Sequence, residues 1–154
     1  MKNQKGITLI ALVITIIVLL ILAGVTIATL RGDNGILTQA DAAKNNTNRA
    51  EAIEKINLAL SAVKAEIYAQ QVSVSTYQPI AEDGTLDSNI KNILEKDEIK
   101  ATEANDTYAY KLEDDGILKI SYYNTETKVG TESQPIYGTI NLKAAPYEIK
   151  ELAK

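Results

Sequence analysis

Side chains able to do chemistry are few in this sequence, and the residue types that are missing narrow the options first. Among its 154 residues there is no histidine and no cysteine. The commonest general base and metal ligand is therefore lacking, as are a thiolate nucleophile and a disulfide framework. The scattered Ser and Lys residues form no dyad, no nucleophile stands beside a base, and neither a glycine-rich phosphate loop nor a metal-ligand cluster occurs. Asp114, Asp115 and Asp83-Gly84 have the composition of calcium-loop ligands. The spacing of an EF-hand is absent, however, and paired acids beside a glycine are ordinarily turn formers. Asn45-Asn46-Thr47 and Asn105-Asp106-Thr107 fit the glycosylation sequon, a short and common motif. No catalytic residue, no metal and no cofactor is expected. The one chemically distinctive junction is Lys5-Gly6, directly ahead of a long uncharged run.

That junction is positioned by an apolar rod. Ile7 to Leu30 is twenty-four residues of mostly Ile, Leu, Val, Ala and Thr with one glycine, Gly24, and no proline. As a helix it rises about 1.5 Å per residue to roughly 36 Å, enough to span a bilayer core. Lys2 and Lys5 are the only charges before it and Arg31 is the first after it. The positive-inside rule then leaves the N-terminus in the cytoplasm and the rest of the chain outside. A cleaved secretory signal would have an apolar region of only about 7 to 15 residues and a small-x-small cleavage site. A plain signal anchor fits the hydropathy equally well.

The residues at the junction discriminate further. Lys5-Gly6-Ile7-Thr8-Leu9-Ile10-Ala11-Leu12 resembles the cleavage motif of type IV prepilins and pseudopilins, in which a short basic leader ends in Gly before an apolar residue and Thr-Leu-Ile. The resemblance implies a cut by prepilin peptidase between Gly6 and Ile7, methylation of the new N-terminus, and assembly through Thr8, Leu9, Ile10, Ala11 and Leu12 with copies of itself or other pilins in a helical filament. A glycine at the scissile position fits this, because without a Cβ the backbone can be approached closely. One position departs from the family pattern: its usual Glu at the fifth mature residue is Ala11 here. In the family that acid pairs with the N-terminal amine of a neighbour, and a charge left unpaired in an apolar core is expensive. Three readings stand open, namely a minor or tip subunit, a lineage whose filaments manage without the pair, and a partner subunit that supplies the acid.

Beyond the rod, Arg31-Gly32-Asp33-Asn34-Gly35 carries turn and cap residues: Gly32 can end one helix, and Asp33 or Asn34 can cap the next. The β-branched stretch Gly24 to Thr29 offers a soft spot, and pilin helices partly melt in this neighbourhood on assembly. Ile53, Ile56, Leu60, Val63 and Ile67 recur at helical spacing, which predicts a helix over 36–70, with Ile36, Ala40, Ala43, Thr47 and Ala50 continuing the stripe in smaller residues. The small half either admits a neighbouring helix closely or is an exposed, weakly amphipathic stretch. Lys44, Arg49, Glu51, Glu54, Lys55 and Lys64 read as a solvated face. Asp87-Ser88 caps a short helix to about Lys96. Thr107–Leu112 and Ile117–Tyr123 flank the turn residues Glu113 to Gly116 as a hairpin, and a third strand is expected in Ile136 to Leu142 after Pro135.

The expected organisation is therefore a leader over 1–6, a transmembrane and filament-core helix over 7–30, a helix break over 31–35, an amphipathic helix over 36–70, and a small head over 71–154 packed on it. This is an α+β plan, a long helix on a small antiparallel sheet. From Arg31 onward there are 14 basic and 20 acidic residues, a net charge of −6, which argues against nucleic acid as a partner. The cysteine-free head and the Gly-Asp-Asn-Gly-Ile-Leu run resemble clostridial-type relatives. Six of the eight tyrosines (Tyr77, Tyr108, Tyr110, Tyr122, Tyr123, Tyr137) fall in the loops and strands, where an apolar body with a polar tip suits half-buried faces. The function these features imply is a structural subunit of a type IV pilus or secretion-type pseudopilus, not an enzyme, assembled from the membrane by dedicated machinery into a cell-surface filament. A signal-anchored extracellular binding module that never polymerises is the rival. Adhesion, motility, DNA uptake and secretion are not distinguished, because those depend on loops and machinery and not on the fold.

Overall fold

The computed structural model describes residues 4–32, 35–127, 129–131 and 136–151, with elements in the order α1 (Gln4–Arg31), α2 (Ile36–Ser73), α3 (Ser88–Lys96), β1 (Ile99–Lys100), β2 (Thr107–Leu112), β3 (Ile117–Tyr123), β4 (Tyr137–Asn141) and β5 (Ile149–Glu151). The chain divides into two compact units, Met1–Lys44 and Asn45–Lys154.

In the first unit α1 is an apolar helix whose side chains from Thr8 to Leu30 are exposed. Its stretch Thr8–Leu30, 23 residues, is long and apolar enough to cross a membrane. Its hydroxyls do not spoil that surface. Thr15 Oγ1 donates to the Leu12 carbonyl at 2.7 Å, Thr26 Oγ1 to Leu22 at 2.7 Å, and Thr29 Oγ1 to Thr26 at 3.0 Å, so these donors are satisfied within the helix, as a lipid environment demands. After Arg31 the Gly32 amide still donates to Ala28 (2.9 Å), but the Gly35 amide turns back onto the Gly32 carbonyl at 2.6 Å, and the Gly35 carbonyl accepts the first bond of α2 from Gln39 at 3.0 Å. Thr38 Oγ1 adds a bond to the same Gly32 carbonyl at 3.2 Å. A Cβ on Gly35 would lie 2.7 Å from the Leu30 carbonyl oxygen and 2.8 Å from that of Gly32. Only glycine fits this corner. Asp33 and Asn34, the expected caps, lie outside the described residues.

In the second unit the C-terminal part of α2 is the central core element. Ala52, Ile56, Ala59, Leu60, Val63 and Ile67 are buried, a stripe at spacings of three and four that faces one side of a five-stranded sheet ordered β1-β2-β3-β4-β5. The β1 and β2 strands are parallel; the other three pairings are antiparallel. The inner face presents Leu118, Ile120 and Ile140, fully buried, with Tyr108, Tyr110, Leu112 and Ile149 packed around them. Helix and sheet approach closely at Gly138, where a Cβ would lie 2.6 Å from Leu60 Cδ1 and 2.9 Å from Ile56 Cγ2. The short helix α3 is capped by Asp87, whose carboxylate accepts from the Asn89 amide at 2.9 Å and from the Tyr77 hydroxyl at 2.8 Å. It buries Ile90 and Leu94 against the same core.

The α+β plan expected from the sequence is the one observed. The two hairpin runs coincide with β2 and β3, and the third strand spans Tyr137–Asn141 within the expected Ile136 to Leu142; Pro135 lies outside the described residues. Two strands were not anticipated, β1 and β5, which are two and three residues long. Lys55 also departs from the solvated face assigned to it: its ammonium lies 4.4 Å from the centre of the Tyr108 ring, a cation–π contact. Burial pushes the Tyr108 hydroxyl up to about 12, with Tyr122, Glu51 and Asp106 adding to the shift.

Candidate processing and assembly site

Gly6 and Ile7 lie in the backbone helix of α1, which begins at Gln4, so the proposed scissile bond falls in its first two turns. The next residues present their side chains outward, with Leu9 at 64%, Ile10 at 60% and Leu12 at 59% exposure, and Ala11 is exposed among them. A helix places residues three and four apart on one face, so Ala11 shares its face with Thr8, Ile14 and Thr15. No carboxylate occurs anywhere in α1. A second copy aligned beside it could therefore supply no acid from this helix. The chemistry the rod offers is purely apolar contact along its exposed length. In water such a surface is not sustainable, and it calls for lipid or for other apolar helices.

The other candidates sit in turns. Asp83 Oδ1 accepts from Thr85 Oγ1 at 2.6 Å and from the Thr85 amide at 2.9 Å, and these hydrogen bonds, the side-chain one first, hold the Asp83 carboxyl below the usual carboxylate range. Asp115 Oδ1 accepts from the Ile117 amide at 3.1 Å within the β2–β3 turn, where Gly116 has φ +80°. Asp83 and Asp114, far apart in sequence, line one shallow hollow together with Lys143. The Lys143 stem lies over Gly116, and its ammonium donates to the Asp114 backbone carbonyl at 3.4 Å. Among the described residues no group of three or more His, Cys, Asp or Glu side chains is arranged to hold a metal ion. The second sequon is also occupied in local structure: Asn105 Oδ1 accepts from the Thr125 amide at 2.7 Å and Oγ1 at 2.8 Å, and Thr107 Oγ1 donates to Ala104 at 2.6 Å.

One polar cluster escaped the sequence reading. Asp106, at φ 57°, accepts from the Tyr122 hydroxyl at 2.7 Å and from Asn124 Nδ2 at 2.8 Å. Those two bonds, Tyr122 first, hold its carboxyl below the usual range. Asn124 is 8% exposed, and its Oδ1 accepts from the amides of Glu126 and Thr127 at 3.0 Å. The cluster ties the loop before β2 to the loop after β3. Its signal was the Asn-Asp-Thr and Asn-Thr-Glu-Thr strings, which read only as generic turns until the β2–β3 register brings them together.

Residues 1–27 match the family model described as the prokaryotic N-terminal methylation motif. No curated protein and no solved structure matches the chain. The matched segment covers the Lys5-Gly6-Ile7 junction and most of the exposed apolar helix, and this helix precedes an α+β unit built on a long helix and a small sheet. By that motif, on that architecture, the N-terminal segment of the chain is similar to that of type IV pilin-like precursors.

Proposed function

We propose that the chain is a structural subunit of a type IV pilus or of a type II secretion-like pseudopilus. It is cut between Gly6 and Ile7, held in the cytoplasmic membrane by α1 with its head outside, and then polymerised through α1. The match of residues 1–27 to the methylation motif carries this reading, and the continuous outward apolar surface of α1 supports it. The same surface serves two environments in turn. Lipid covers it in the membrane, and other copies of the helix cover it in a filament, with no charged side chain between Thr8 and Leu30 to be buried in either exchange. Repetition of one such contact along a screw axis does not close and produces a fibre. The missing acid at Ala11 lets the amine of Ile7 enter a filament core only if another subunit compensates it or if the subunit sits at an end.

Intact mass of the membrane-extracted protein, co-expressed with a prepilin peptidase, tests the processing step. The expected species lacks residues 1–6 and carries one methyl group, and an uncut chain refutes it. Replacing Ile7 to Leu30 with an unrelated membrane helix tests assembly: a filament subunit loses incorporation, whereas a signal-anchored binding module keeps its activity.

A further inference from the structure

The bond read above as the cleavage point lies inside a helix. The α1 helix begins at Gln4 and continues unbroken to Arg31, so Gly6 and Ile7 are its third and fourth residues. In the helical pattern the amides of Thr8, Leu9 and Ile10 donate to the carbonyls of Gln4, Lys5 and Gly6. The Gly6 carbonyl, which a protease must polarise and attack, is therefore engaged by the chain's own backbone. Clefts that recognise peptide backbone take in extended segments, whose main-chain groups point outward and can pair. A helical turn offers neither that shape nor an open carbonyl.

The two sides of the bond differ in how readily they leave the helix. Before it, the first turn holds no acid, and Lys5 sets a cation at the positive end of the helix dipole, where it weakens the turn. Gly6 adds the residue that, after proline, favours a helix least. Beyond it, Thr8–Leu30 is an uncharged apolar run, and backbone groups released within a bilayer find no water. The rod over 7–30 rises about 36 Å against a hydrocarbon core of about 30 Å. Its first turn can thus lie at headgroup level, where water meets the amides of a helix start. Opening runs easily from Gln4 to Gly6 and stops near Ile7. Resting on the cut between Gly6 and Ile7 as read above, we propose that the first turn of α1 is a catch: the leader must unwind before the bond is cut, and the stability of that turn sets the rate of processing. The bond chemistry is hydrolysis, in which water adds across the Gly6–Ile7 amide and leaves a carboxylate on Gly6 and an amine on Ile7.

The test compares the full-length wild type with Gln4→Gly and Gln4→Glu in detergent micelles, substitutions that leave Lys5, Gly6 and Ile7 in place. Amide exchange at Thr8, Leu9 and Ile10, measured without peptidase, reports opening of the turn. Cleavage by a purified prepilin peptidase, with substrate well below saturation, is followed by intact mass. Glycine is the poorer helix former, so Gln4→Gly should speed both exchange and cleavage about two- to threefold. The acid introduced by Gln4→Glu favours the positive end of the helix and should slow both about two- to fivefold. Proportional changes in the two rates, in opposite directions for the two variants, support the catch. Exchange that neither substitution alters, or a cleavage rate that ignores exchange or moves against it, overturns the catch and leaves the processing reading standing. A wild-type chain that the peptidase does not cut overturns the processing reading and the catch with it.

Discussion

Substituting Gly138→Ala adds one methyl group at a close approach between α2 and the sheet. The new Cβ would lie 2.6 Å from Leu60 Cδ1 and 2.9 Å from Ile56 Cγ2, and those side chains are 0% and 2% exposed. Contacts under 3 Å between carbons cannot persist, and neither neighbour has solvent to move into, so the helix must shift or the rotamers must leave their wells. Overpacking of this kind costs about 1–3 kcal/mol. Against it stands the gain from removing a flexible glycine from a strand, about 0.5–1 kcal/mol, so a net loss of about 1–2 kcal/mol is expected. For a unit of this size that lowers the thermal midpoint by about 4–16 °C. All eight tyrosines lie in Asn45–Lys154 and the chain has no tryptophan, so tyrosine emission of the full chain in detergent reports this unit alone. Leu60→Val removes the clashing Cδ1 and on its own costs about 1 kcal/mol by analogy with other single-methyl deletions. The double variant should therefore be more stable than the sum of the single losses by at least about 0.5 kcal/mol. A neutral Gly138→Ala, or strict additivity in the pair, would refute the assignment of Gly138 as a packing glycine.

Three further outcomes are expected. Gly35→Ala drives a Cβ into two backbone oxygens that cannot rotate away; loss of the Gly35–Gly32 hydrogen bond, about 1–2 kcal/mol with the accompanying strain, should speed amide exchange in the first turn of α2 by about 5–30-fold. Ala11→Glu supplies the acid absent from α1, and incorporation into filaments, scored by shearing and immunoblot, should rise if the amine of Ile7 lacks a partner; no change would favour an end position or a lineage adapted to its absence. Asp106 has its carboxyl held low by Tyr122 and Asn124, so its contribution is present above the unfolded value of about 4 and is lost as pH falls through the lower folded value. Asp106→Asn should flatten that acid limb of the stability profile, and an identical limb in the variant would assign the acid sensitivity elsewhere.

The parts of this fold that were legible are those whose signal is local. The β2 and β3 strands announce themselves through β-formers on either side of an acidic glycine turn, and α3 through Asp87 followed by apolar residues at helical spacing. The core stripe of α2 was readable from Ile56, Leu60, Val63 and Ile67, but its other side was not purely polar. Leu58, at 63% exposure, and Val72, at 89%, lie outward, so the amphipathic contrast is weak and the end at Ser73 had no sharp marker. The β1 and β5 strands are two and three residues long and exist only because β2 and β4 offer edges for pairing, which no short window reveals. At the candidate site the contrast is similar. Lys5-Gly6-Ile7 is a contiguous string and can be read directly, whereas the Asp106–Tyr122–Asn124 cluster depends on which residues the register sets side by side.

The strand order carries a consequence for how the chain acquires its structure. Each strand of the head lies beside the one that precedes it in the chain, from β1 to β5, so pairing proceeds between successive segments and loop closure stays short at every step. Topologies of that kind search quickly, because little chain entropy is lost before the first contacts form. The β2–β3 hairpin can thus form first, with β1, β4 and β5 adding to its edges in turn, without leaving a long unpaired edge exposed in the interval.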